Sequence, residues 1–117
     1  MPIIDRENAP KAEIYPGVER RSMVDGAQGS QSLTVSEVLT GAGVAPPLHS
    51  HPTEEAMLVT DGTLQAYLGD EMFTVTAGQI VLAPPGVKHG FVNTSDAPAT
   101  VYGIHPTNDV VTIWDEA

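Results

Sequence analysis

GAGVAPPLHSHPTEEAMLVTDG, Gly41 to Gly62, is the stretch whose reading decides the fold. If Leu48 to His51 is extended, side chains two apart face the same way and sit about 6.6 Å apart along the strand, so His49 and His51 form a chelating pair. Glu55 follows past a Pro52-Thr53 bend that can swing a carboxylate back toward the two imidazoles. Pro46 and Pro47 rule out helix and hold an extended entry to His49. From Glu55 the strand runs on to Thr60, where Asp61-Gly62 is a strong hairpin signal. A third imidazole comes later, from His89. Neutral ring nitrogens from three histidines and one carboxylate oxygen make a ligand set suited to a first-row divalent ion.

Outward from this stretch the pattern is that of strands. Gln31 to Thr40 alternates and is rich in β-branched residues. Thr63 to Leu68 and Glu71 to Thr76 read as a hairpin closed at Gly69-Asp70. Gln79 to Ala83 is a strand halted by Pro84-Pro85-Gly86, a turn that lets His89 arrive from a different strand. Ala97 to Ile104 and Val110 to Trp114 are the last strands. Residues 1–30 alternate short apolar pieces with prolines and glycines and are read as irregular chain with one or two short edge strands, such as Glu13 to Tyr15. Arg20 and Arg21 are read as a solvated pair. Asn93-Thr94-Ser95 has the form of a glycosylation sequon and is read as a turn. Helical periodicity is missing, and about eight short strands at regular spacing point to an all-β barrel or sandwich in a single domain, 1–117.

The spacings carry more information than the pattern. Gly43, His49, His51, Glu55 and Gly62 are followed by Gly78, Pro84, Gly86, His89 and Asn93. These ten positions resemble, gap for gap, the two signatures of the cupin family, the first over 43–62 and the second over 78–93. Any one residue type occupies only about 2 to 8% of positions, so a chance match is far below one in a million. The resemblance implies a double-stranded β-helix, a jelly-roll barrel holding its metal near one mouth. It also implies that His49, His51, Glu55 and His89 are the metal ligands. The cofactor is then one divalent transition metal (Fe, Mn, Ni, Zn, Co or Cu), with positions left open for substrate or dioxygen.

Composition narrows the function. Cysteine is absent, so disulfides, thiolate chemistry and a structural zinc finger are excluded. Fifteen acids against five bases give a net charge of −10, which repels nucleic acid and anionic membrane surfaces. No run approaches the roughly eighteen apolar residues of a membrane span, and the N-terminal residues lack the basic start and apolar run of a signal peptide. The expected location is cytoplasmic, with a small-molecule partner and neither nucleic acid nor membrane.

Parity places the remaining side chains. With Glu55 inward, Met57 and Val59 share its face, while Ala56, Leu58 and Thr60 take the other. A strand apolar on both sides is buried on both sides, and a second copy is the expected cover, which predicts a symmetric homodimer. Met57, Val59 and Phe91, with Tyr67 and Tyr102 according to strand register, are the expected substrate lining. His105 stands outside both signatures. Its ordinary reading is a solvent-exposed loop histidine, and its sharper one an acid or base at a barrel end. The resemblance implies an enzyme of dioxygenase or enolising isomerase or lyase type acting on a small oxygenated substrate, with Glu55 as ligand and proton acceptor. The alternative is a non-catalytic metabolite-binding or sensing barrel.

Overall fold

The computed structural model describes residues 2–115. Among these residues eleven strands follow one another: β1 (Lys11–Tyr15), β2 (Val18–Val24), β3 (Thr34–Thr40), β4 (His49–Ser50), β5 (Glu55–Asp61), β6 (Thr63–Leu68), β7 (Glu71–Thr76), β8 (Ile80–Ala83), β9 (His89–Val92), β10 (Ala99–His105) and β11 (Ile113–Trp114). They make a six-stranded sheet in the order β1-β2-β3-β10-β5-β8 and a five-stranded sheet in the order β11-β4-β9-β6-β7. The pairings are antiparallel, and the two sheets face each other as a jelly roll. No helix among the described residues is long and apolar enough to cross a membrane.

The alternation seen in the sequence becomes the core. On β5 the burial pattern is strict: Glu55, Met57 and Val59 are buried, whereas Ala56 and Leu58 are half-buried. Val59, Leu64, Ala66, Val75, Val81, Ala83, Ala99 and Val101 join Met57 in one apolar cluster, with Leu68 and Phe91 packed against it. The β5–β6 turn is tight enough to require glycine. Gly62 has φ of 86°, and a Cβ there would lie 2.8 Å from the Ala99 Cβ and 2.9 Å from the Pro98 carbonyl.

The N-terminal thirty residues differ from the expectation. The expected edge strand is there, as β1 takes in Glu13 to Tyr15 at the rim of the sheet, but the rest is not irregular chain: β2 pairs with β1 as a hairpin and is an interior strand between β1 and β3. The prolines that argued against strands lie outside them, Pro10 just before β1 and Pro16 in the turn with Gly17. They bound the hairpin instead of interrupting it. This addition extends the large sheet past the barrel and gives the interior an extra wall.

One outer face remains uncovered. Ile80 and Leu82 on the edge strand β8 are 63% and 56% exposed, and Ile104 is 38% exposed. Across the strands, Ile104 pairs with Ala56 and Ala56 with Leu82, while Leu58 pairs with Ile80. These residues form a continuous apolar patch.

Candidate metal centre

Three strands and one bend bring the centre together. His49 opens β4 and pairs directly with His89 at the start of β9, which sets two imidazoles side by side with ring centroids 4.6 Å apart. His51 follows at the same parity, its ring 4.8 Å from that of His49. Glu55 begins β5 in the opposing sheet and points across the gap. The ligand atoms of His49, His51, Glu55 and His89 all lie within 4.8 Å of one another, a group able to hold a metal ion.

The hydrogen bonds decide which nitrogens face inward. The Nδ1 of His51 lies 2.9 Å from the Val111 carbonyl, and that of His89 lies 2.9 Å from the Val87 carbonyl. A carbonyl only accepts, so each Nδ1 carries the proton, and in the neutral ring Nε2 keeps its lone pair. Both lone pairs converge on one oxygen: His51 Nε2 is 3.3 Å and His89 Nε2 2.9 Å from Glu55 Oε1. Atoms this close need positive charge between them, supplied by a proton on an imidazole Nε2 or, in its place, by a bound ion. Ligand bonds of about 2.1 Å to a first-row ion separate neighbouring donors by about 3.0 to 3.4 Å, close to the spacings of His51 and His89 from Glu55. With no cysteine in the chain, the donors are imidazole and carboxylate alone.

Charge follows the same geometry. Burial, with smaller contributions from the neighbouring His89 and His51, lowers the pKa of His49 to about 4, which leaves it neutral and able to donate its lone pair. Burial alone would also lower His51, but its bonds to Glu55 and to the Val111 carbonyl outweigh that and raise it. For Glu55 burial favours the neutral acid, yet the contacts from His105, His51 and His89 prevail and hold the carboxyl well below the usual carboxylate range. The carboxylate therefore stays ionised at neutral pH, as a metal ligand must.

His105 is not a loop residue. It ends β10 on the inward face, is 5% exposed, and places Nε2 3.1 Å from Glu55 Oε2, so the ordinary reading from sequence is corrected. Pro106 had suggested a loop, but it only marks where the strand stops.

A cavity of about 570 Å³ opens beside the cluster. Met57, Phe91 and His105 line it, together with Val18, Val38, Val101 and Trp114. Three expected lining residues do not. Val59 is fully buried in the core cluster. Tyr67 lies one residue off the parity of Leu64 and Ala66, so register puts it on the outer face of β6. Tyr102 is likewise on the outer face of β10, where its hydroxyl donates to Glu37 Oε2 at 2.6 Å. Sequence reading also missed Trp114, which pairs with His49 across β11 and β4, its ring 4.9 Å away. It equally missed Val111, whose carbonyl orients His51. No local pattern marks a two-residue strand as a cover for a distant histidine.

The two adjacent arginines separate. Arg21 points outward, 3.8 Å from Glu37, whereas Arg20 lines the cavity. The other bases, Arg6, Lys11 and Lys88, have carboxylate partners outside it.

Comparison with known proteins places this arrangement. No curated protein matches the chain in sequence. Among solved structures, the polyketide cyclase RemF from Streptomyces resistomycificus is similar with a TM-score of 0.86 and 20% identity, over 100% of this chain and 87% of that one. A sugar phosphate isomerase from a cupin superfamily, from Silicibacter pomeroyi, is similar with a TM-score of 0.81 and 22% identity, over 99% and 83%. A mutant oxalate decarboxylase from Bacillus subtilis is similar with a TM-score of 0.82 and 19% identity, but this chain, matched over 93% of its length, covers only 30% of that one. At these identities the likeness establishes the fold. The family model described as the cupin domain matches residues 35–105, and with both signatures and the two-sheet barrel in place, the chain belongs to the cupin family.

Proposed function

We propose that this protein is a metal-dependent enzyme acting on a mostly apolar, oxygenated organic molecule by proton transfer next to a carbonyl. The observation that carries the reading is the placement of the His49, His51, Glu55 and His89 cluster beside an apolar cavity of about 570 Å³. A divalent ion held there supplies Lewis acidity toward a substrate oxygen. The rest falls to the chain. Val18, Val38, Met57, Phe91 and Val101 enclose the hydrocarbon part and exclude water. Arg20, exposed on the cavity wall, offers its charge to an acidic substrate oxygen. Glu55 Oε2 takes the proton that leaves the substrate carbon and returns it to that carbon or to a neighbouring oxygen, while His105 Nε2, 3.1 Å away, holds the carboxylate in place.

Cavity size favours a substrate larger than a two-carbon acid, and the likeness to a polyketide cyclase supports the same class. A dioxygenase on the same ligands is the second reading, favoured by the exclusively imidazole and carboxylate donor set. The apolar outer patch of β5, β8 and β10 further supports a homodimer in which a second copy covers it.

The test loads metal-free protein with iron, manganese, cobalt, nickel, copper or zinc in turn and follows deuterium exchange next to the carbonyl of aryl ketones by NMR. Exchange that needs both an ion and Glu55 supports the proposal. Dioxygen uptake with diketones or phenols in place of exchange moves the protein to the second reading. Tight ligand binding with neither reaction leaves only the non-catalytic binding barrel.

A further inference from the structure

We infer that His105 and Gly103, neither of them in the cupin signatures, form a seat on β10 that holds Glu55 by its second oxygen and so commits only Oε1 to the metal cluster. The inference rests on the metal-site reading above and concerns a positioning role, not a further ligand.

The geometry is specific. Glu55 Oε1 is the oxygen shared by His51 and His89, at 3.3 Å and 2.9 Å. Oε2 is turned away from them, 3.1 Å from His105 Nε2. A carboxylate oxygen only accepts, so His105 Nε2 carries the proton. His105 is thus the opposite tautomer of His51 and His89, whose Nδ1 atoms donate to backbone carbonyls. Its Nδ1 is buried without a partner, so no second bond competes for the orientation of the ring. The ligand group comprises His49, His51, Glu55 and His89 and leaves His105 out.

Gly103 supplies the space. It stands two residues before His105 on the same inward face, and a Cβ there would lie 2.5 Å from Glu55 Oε2, closer than such atoms approach. Its φ is not in the left-handed region, so the glycine is required by the carboxylate and not by the backbone. Any side chain would push Oε2 off His105. A carboxylate freed from this seat can turn both oxygens toward an ion and occupy a position that substrate would otherwise use.

The experiment measures affinity for cobalt(II) by competition with a chelator, together with the visible absorption of the cobalt protein, which reports coordination number. Wild type, His105→Ala, His105→Gln and Gly103→Ala are compared, each with and without Glu55→Ala. We expect His105→Ala and Gly103→Ala to weaken binding by about 10 to 100-fold, with a changed cobalt spectrum. His105→Gln, whose amide N–H can reach Oε2, should recover most of the loss. In the Glu55→Ala background His105→Ala should have no further effect, because its role acts through that carboxylate. An additional loss in that background makes His105 a ligand and overturns the inference. So do wild-type affinity and spectrum in both single variants. If wild type binds none of the six metals, the metal-site reading falls and this inference with it, whereas cobalt-loaded wild type with unchanged variants removes this inference alone.

Discussion

Asn93 is the last signature position and is fully buried. Its amide donates to the Thr40 carbonyl at 3.1 Å and to the Ala97 carbonyl at 2.8 Å, while its oxygen accepts from the backbone and hydroxyl of Ser95. It ties the end of β3 to the turn between β9 and β10, and its burial leaves no room for a glycan. Asn93→Ala strands buried carbonyls, and urea unfolding should show a loss of about 2 to 4 kcal/mol. For the ligands themselves, His89→Ala should lower metal affinity by more than about 100-fold, beyond what an outer partner gives. The metal-induced rise in melting temperature should disappear with it, as thermal scans at fixed ion concentration will read.

At the scale of the element, β3 shows how one strand serves two faces. Ser36 and Val38 line the cavity, while Glu37 is buried on the opposite side beneath Arg6 and Tyr102. Arg6 holds both Glu37 oxygens, at 2.8 and 3.0 Å. The hydrogen bond from Arg6, which outweighs the opposing burial and is aided by Tyr102, lowers the Glu37 pKa from its ordinary 4.5. A carboxyl depressed in the folded state adds stability that is present above the unfolded value and is lost as pH falls through the folded one. The unfolded chain binds the proton first, so stability falls with pH below about 4.5. Glu37→Gln should be less stable than wild type at neutral pH, with the difference shrinking as pH drops through this window. Thermal melts between neutral and acid pH will read it, and a gap that stays constant refutes the account.

For the whole molecule, the exposed residues of β8 set the expectation. Ile80, Leu82 and Ile104 continue the apolar surface of Leu58 and Ala56 across three strands, a patch that a second copy would bury. Light scattering should give twice the 12.3 kDa chain mass, and Leu82→Glu should return the single-chain mass with an unchanged circular dichroism spectrum. A wild-type monomer at micromolar concentration would remove the dimer.

Short-range chemistry is what the sequence determined alone. The His49, His51 and Glu55 spacing, the Asp61-Gly62 and Gly69-Asp70 turns and the parity of β5 are local, because a strand alternates faces every residue and a hairpin needs only its two turn residues. That was enough for an all-β barrel or sandwich, while the jelly roll and the joining of His89 to the other three ligands came from the resemblance of the ten spaced positions to the cupin signatures. Tertiary structure decided whatever depends on register between distant segments. His105 reaches Glu55 because β10 pairs beside β5, with Ile104 opposite Ala56, and Trp114 covers His49 because β11 docks on β4. The facing of Tyr67 and Tyr102 hung on register, which sends every side chain to the other face when shifted by one residue and is invisible in an isolated strand. The N-terminal hairpin was missed for a related reason: prolines mark both irregular chain and the ends of strands, and only its pairing with β3 shows which.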